Sequence, residues 1–267
     1  MQRARGALAV GFRLRDGETV LDRLHQSGCL KARFPRPERH AWRGVVTLNT
    51  SGGAAAGDAL TTAIEAGPGA HATVAAQAAE RFYRALPGSA PARLRTTLRV
   101  GPGAALEWLP QETILFDDCA LDRETAIEVA ADGWFLGVEM LVFGRLAMGE
   151  TVRRARLSDR IVLRRDGRLL LHDAIRFQGE AEAALARAAV GGGARAVATL
   201  VHAAPDAEQS LGRVRQVLAG VEAGASAWDG LLVARLVAAD GAALRRAVLA
   251  VLPVLRAERP LPRVWLC

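Results

Sequence analysis

From Ala7 to about Phe177, apolar and polar residues alternate with a period of two. Leu8, Val10, Phe12 and Leu14 alternate with small or polar residues, and ARLRTTLRV from Ala92 to Val100 does the same. Successive side chains of a strand point to opposite faces, so the pattern predicts half-buried β-strands. Ile161 to Leu171 reads as two short strands joined at Asp166-Gly167, a two-residue hairpin turn. Alanine is abundant and favours helix, but the alternation and the regular Gly-Pro-Gly punctuation outweigh it.

A weak repeat runs through this region. Gly67-Pro68-Gly69-Ala70 recurs 34 residues later as Gly101-Pro102-Gly103-Ala104, and the same shift carries Gln77 to Gln111 and Phe82 to Phe116. Asp132-Gly133-Trp134 is a degenerate third copy. Gly-Pro-Gly is also a common turn signal; the coincident Gln and Phe favour a true repeat. Each copy ends one strand and begins another, so the units predict a mainly β fold with a large layered or β-helical body.

The period changes late. Glu180 to Val190 is Ala-rich and stops at a run of glycines. Asp206 to Ala219 begins with Asp206 and Gln209 at capping-box spacing and sets Leu211, Val214 and Leu218 on one face. Asp240 to about Leu255 sets Leu244, Val248, Val251 and Leu255 on one face, with Pro253 expected to kink or end it. No low-complexity linker intervenes. The expectation is one domain over 1–267: a β body at about 7–177 and a dependent, helix-containing part at about 178–267.

Composition adds limits. Of 267 residues, 51% are hydrophobic, enough for a sizeable core. No stretch approaches the ~18 apolar residues of a membrane helix. The N-terminal MQRARGALAVGF faintly resembles a signal peptide, but Arg13 cuts its apolar run and no cleavage pattern follows. The expected location is cytoplasmic, with no membrane partner. Cys29, Cys119 and Cys267 show no C-x-x-C spacing, which argues against a disulfide framework or a structural zinc. The net charge is +7, but its arginines are scattered among acids, so no nucleic-acid partner is expected.

Nucleotide-loop, zinc-protease and nucleophile-elbow motifs are absent from the sequence. The Gly52–Asp58 loop suggests a phosphate cradle but lacks the lysine; glycines where backbones cross explain it better. The histidines, His25, His40, His71, His172 and His202, have no partner histidine at i+2 or i+4, so no permanent metal site is expected. His71 follows the first Gly-Pro-Gly-Ala turn and can face a groove. Glu107, Glu112, Asp117 and Asp118 bracket the apolar stretch around Ile114. Such carboxylates suit a general acid and base, oxygen ligands for a divalent ion, or plain exposed strand ends.

Together these landmarks carry a resemblance. LEWLPQETILF, from Leu106 to Phe116, resembles the signature of the urease accessory protein D family, called H in some organisms. Gly28-Cys29-Leu30-Lys31, Gly52-Gly53 with Gly57-Asp58, Phe82-Tyr83-Arg84, Gly144-Arg145 with Gly149-Glu150, Arg165-Asp166-Gly167 and Pro262-Arg263-Val264-Trp265 follow in the family's order. The resemblance spans nearly the whole chain. Departures are Glu80-Arg81 before the tyrosine element, Cys29, and Gly137-Val138-Glu139 in place of a frequent G-W-D.

The resemblance implies a non-enzymatic scaffold that joins accessory proteins F and G, the latter a GTPase, docks on apo-urease and serves nickel insertion. Nickel(II) is then cargo in transit, with no permanently bound cofactor. Candidate path residues are Asp58, His71, Glu112 and Asp117. Signature positions are Gly57, Tyr83, Glu107, Trp108, Pro110 and Gln111. Trp228, Arg263 and Trp265 are candidate partner contacts, or else cover the β body. A rival reading is a carbohydrate-active or small-molecule enzyme using a Glu107/Glu112 pair, which requires the two to share an open cleft.

Overall fold

The computed structural model of the chain describes residues 3–36 and 42–266; His40 and Cys267 lie outside the described residues. Its strands, in chain order, are β1 Arg5–Arg15, β2 Glu18–Gly28, β3 Leu30–Arg33, β4 Arg43–Asn49, β5 Ala59–Ala66, β6 His71–Ala76, β7 Glu80–Phe82, β8 Ala92–Val100 and β9 Ala105–Leu109. They continue as β10 Thr113–Leu115, β11 Cys119–Val129, β12 Trp134–Phe143, β13 Arg154–Arg165, β14 Arg168–Glu180, β15 Ala196–Ala203, β16 Ala223–Trp228 and β17 Leu231–Ala238. The helices are α1 Ala181–Ala186, α2 Leu211–Val217 and α3 Gly241–Leu255.

The chain winds as a two-sided coil. Strands β1, β5, β8, β11 and β13 stack in parallel in the first sheet, and β4, β6, β9 and β12 in the second. The 34-residue repeat is this winding: Thr62 lies opposite Thr96 in one sheet, and His71 opposite Ala105 in the other. The third copy fits the same stack, with Trp134 opposite Ala105. Gly69 and Gly103 occupy equivalent places in the short turns, both with positive φ (69° and 61°), which glycine adopts without steric cost. Antiparallel strands close both ends of each sheet, with β2 and β14 flanking the first and β3 and β15–β17 flanking the second.

The alternation decides the layers. Leu8, Val10, Phe12, Ile64, Leu98 and Leu163 point inward and meet Leu106 and Phe135 of the second sheet. The second sheet is buried on its other face too, under α2 and α3, where Leu109, Leu136, Val138 and Leu200 meet Val214, Val248 and Leu252. Each such apolar side chain contributes about 1.5–3 kcal/mol through burial. The outer face of the first sheet carries charged rows: Arg95 of β8, Asp122 and Glu124 of β11, and Arg160 of β13. They are linked by the pairs Arg95–Asp122 (2.7 Å) and Arg160–Glu124 (2.9 Å). An acidic row thus separates two basic ones.

The later part differs in detail from the sequence expectation. It contributes three strands to the second sheet as well as helices. The helix expected from Glu180 shrinks to α1, because β14 holds its ladder through Glu180, opposite Arg154. Asp206 makes no side-chain cap, and a 3-10 turn precedes α2. In α3 the cap is present, the Ala243 N–H donating to Asp240 Oδ1 at 2.7 Å, and the expected apolar face is the buried one. Pro253 lies inside α3 rather than ending it. Among the described residues no helix is long and apolar enough to cross a membrane.

Candidate functional site

Each coil has two turns. The Gly-Pro-Gly-Ala turns at one edge are short and alike. Those at the other edge, residues 50–58, 77–91, 110–118 and 144–153, are long and carry most of the sequence landmarks. Extra pairing orders them, since β10 lies between β7 and β12. Side chains continue the stack outward. The Tyr83 hydroxyl donates to the Gly52 carbonyl (2.6 Å), its ring meets Phe116 edge-on at 5.1 Å, and the Arg145 guanidinium lies 4.2 Å over Phe116. Gly53 is required here: its φ is 134°, and a Cβ would fall 2.6 Å from the Tyr83 ring.

Behind these turns, between the sheets, lies a cavity of about 290 Å³. Thr62, Thr96 and Thr125 sit side by side on its first-sheet wall, one from each coil. Glu80, Gln111, Trp108 and Pro110 line it near the long turns, and Arg123 and Glu139 line it within. Arg123 gives both Nε and Nη2 to Asp159 (2.7 and 2.6 Å) and Nη1 to the Thr113 hydroxyl (2.9 Å). Glu139 Oε2 is 2.8 Å from the same guanidinium yet accepts no hydrogen bond. Burial pushes the Glu139 carboxyl up to about 7; Arg123 opposes the rise and Asp159 adds to it. Burial also raises Glu80 above the usual carboxylate range, against the Asn49 hydrogen bond.

Glu139 is a junction. Two small voids of about 10 Å³ also border it, one lined by Asp159 and Asp173 as well. Ile175 and Val197 border both that void and a groove of about 570 Å³ at the open edge of the sheets, beside the Arg235–Asp173 pair. Among the described residues no three His, Cys, Asp or Glu side chains gather as a metal site.

A third feature lies on the far face of the second sheet. In β9, Leu106 and Trp108 face the sheet interior while Glu107 and Leu109 face the helix layer. Glu107 has no exposed surface. It accepts from Arg256 Nε and Nη2 (2.8 and 3.0 Å), from Arg259 Nη2 (2.9 Å) and from the Thr73 hydroxyl (2.7 Å). Burial disfavours its charge, but the Arg256 contact, with Thr73 and Arg259, overcomes this and holds its pKa below the ordinary value. Further along, Trp265 Nε1 donates to the Leu109 carbonyl (3.0 Å) and Gln111 Nε2 to that of Val264 (2.7 Å). Arg245 bridges Gln111, Glu112 and the Trp265 carbonyl at 2.7, 2.9 and 2.7 Å. The LEWLPQET segment and the closing PRVW segment are thus one clasp.

The expected site residues divide accordingly. Asp58, Glu112 and Asp117 lie on the long turns with Gly57 and Tyr83; His71 lies at the opposite edge, 5.3 Å from the Trp42 ring. Asp58 accepts from the Ala4 and Ala55 N–H groups, both at 2.8 Å, and Asp117 from those of Arg153 and Arg154 at 2.8 and 3.1 Å. Trp108, Pro110 and Gln111 border the cavity. Trp265 is buried, Arg263 is exposed in the short turn before it, and Trp228 is exposed at the end of β16. Glu107 and Glu112 share no open cleft, because Glu107 is sealed from solvent. The sequence reading missed Arg123, Glu139 and Asp159. A signal existed: Arg123 falls in phase with the inward Leu121, Thr125 and Ile127, and Asp159 with Leu157, Ile161 and Leu163.

Comparison with known proteins agrees with this geometry. The family model described as UreD urease accessory protein matches residues 4–266. A urease accessory protein UreD from Methylobacterium sp. (strain 4-46) is 48% identical over 272 residues, covering 99% of this chain and 95% of the relative. Those of Rhizobium leguminosarum bv. trifolii and Xanthobacter autotrophicus are 44% and 46% identical, each over 99% of this chain and over 96% and 90% of their own lengths. The chain belongs to the UreD family of urease accessory proteins.

Proposed function

We propose that the chain is a non-catalytic scaffold that, with accessory proteins F and G, docks on apo-urease in the cytoplasm and lets nickel(II) reach its active site. The observation that carries the reading is the run of internal spaces meeting at Glu139, lined by hydroxyls and carboxylates and bounded by rigid strands. Oxygen donors hold nickel less firmly than a His/Cys cage, so a cation in passage is retained briefly and released. Thr62, Thr96 and Thr125 offer neutral oxygens, while Glu80, Glu139 and Asp159 offer charge. Arg123 pairs with two of these carboxylates and offsets part of their charge, so the ion meets a site balanced against deep trapping. Asp58, Glu112 and Asp117 belong to the turns around the entrance, and His71 to the opposite edge.

The test is activation of apo-urease by nickel with purified F and G. Alanine at Glu139, Asp58 or Glu112, in variants that still assemble with the partners, should each lower the urease activity recovered. Full activation by all three would refute passage through this chain. A wild-type chain that fails to assemble with either partner would refute the scaffold role itself.

A further inference from the structure

The long-turn edge has a second character that passage of an ion does not explain. Its tips are apolar and open to solvent: Met148 is 72% exposed, Leu86 63%, Leu146 52% and Tyr83 36%. Large apolar side chains gathered on one edge and set among polar residues mark contact surfaces. These tips stand on an ordered base, the column from the Gly52 carbonyl through Tyr83 and Phe116 to Arg145, which Glu150 fixes at 2.7 Å. A surface already ordered before contact loses little entropy on binding.

Charge narrows the occupant. Residues 81–86, 116–118 and 144–154 hold Arg81, Arg84, Arg145, Arg153 and Arg154 against Asp117, Asp118 and Glu150. All five arginines are exposed, whereas the three carboxylates are only partly so. The carboxylates are also engaged: Asp117 by two backbone N–H groups, Asp118 by Arg84 at 2.7 Å and Glu150 by Arg145. The edge therefore presents positive charge interleaved with apolar tips.

We propose that this edge is a protein-docking surface, and that its occupant is a partner surface bearing carboxylates among apolar side chains. The proposal rests on the scaffold reading above, because it presumes a protein partner. Gly52, Gly53 and Arg81 belong to both this edge and the cavity wall, so the docked partner sits over the cavity's entrance. Apolar tips of this size argue against nucleic acid, whose backbone offers them no matching surface.

The experiment measures binding of the full-length chain to purified F–G complex and, separately, to apo-urease, from low to high salt. Leu86→Glu with Met148→Glu should weaken one of the two partners at least tenfold, as should Arg84→Glu with Arg153→Glu. Wild-type affinity for that partner should fall as salt rises, since exposed charge pairs are screened. Met148→Glu alone, at the most exposed position, guards against misfolding and should weaken the same partner in the same direction. Wild-type affinity of both double variants for both partners overturns the docking surface while leaving the scaffold role intact. Salt-independent binding overturns the acidic character of the occupant. A wild-type chain that captures neither partner overturns this proposal and the scaffold reading together.

Discussion

Replacing Glu107 tests the clasp most directly. Glu107 has no exposed side-chain surface and Arg256 is 3% exposed, so Glu107→Ala leaves a buried guanidinium facing an apolar gap. Removing one partner of a buried pair costs about 3–5 kcal/mol, mainly because the remaining charge is uncompensated. Arg259 loses a contact too, but it is partly exposed and keeps its stacking 3.8 Å over Trp42, so its share is smaller. Glu107→Gln retains the shape and one acceptor and should lose less. The pH dependence has a definite sign: the folded pKa is depressed, so this stability is present above the unfolded value of ~4.3 and is lost as pH falls through the folded value. Urea unfolding followed by tryptophan fluorescence, at pH 7 and in acid, measures both effects. A cycle with Arg256→Met isolates the pair; the double variant should recover much of the loss, because it removes both charges together. Glu107→Ala within ~0.5 kcal/mol of wild type, the scale of an ordinary surface substitution, would refute the reasoning.

Gly53→Ala should destabilise by about 1–3 kcal/mol in urea titration, since the left-handed backbone and the Tyr83 ring both oppose a Cβ. Asp240→Ala should cost about 1 kcal/mol by removing the α3 cap, readable as a lower thermal midpoint. Glu139, with its carboxyl pushed up to about 7, gives stability that is full below ~4.3 and declines as pH rises through 7; Glu139→Gln should lack that decline when the two stability curves are subtracted. Truncation after Leu255 removes Arg256, Arg259 and Trp265, so Glu107 keeps only the Thr73 hydroxyl and loses both of its cationic partners. The truncated chain should lose cooperative unfolding, and a wild-type thermal midpoint would count against the clasp.

What the sequence disclosed followed from how each contact is written in the chain. The coil was legible because its period repeats locally: a 34-residue shift superposes Gly67 on Gly101 and, in space, Thr62 on Thr96. The buried face of α3 was legible for the same reason. The clasp was not, although both halves stood out as landmarks, because Glu107 meets Arg256 across 149 residues and periodicity says nothing about such pairs. Strand β15 was hidden by burial on both faces, which erases alternation, and the largely exposed edge strand β16 by its run of alanine, glycine and serine. Arg123 and Asp159 were readable as charges out of place on apolar phases, but only a rule that seeks the exception to a pattern finds them.

The division of labour between the two coil edges follows from that architecture. A short turn fixes the distance between a strand of one sheet and the next strand of the other, so it must stay nearly constant from coil to coil. A long turn is released from that constraint once its ends are held by the ladder, as 77–91 and 110–118 are, and is free to vary in length and chemistry. Four such turns are brought within side-chain reach although they span about a hundred residues of sequence, and β7 and β10 align two of them. The clasp supports the same edge from behind. Gln111 and Glu112 belong both to a long turn and to the network that Arg245 ties to Trp265, so a shift of the chain's end displaces a turn at the cavity entrance. The helix layer seals Glu107 through Arg256 and Arg259, so the clasp forms only once residues 256–259 have joined the fold.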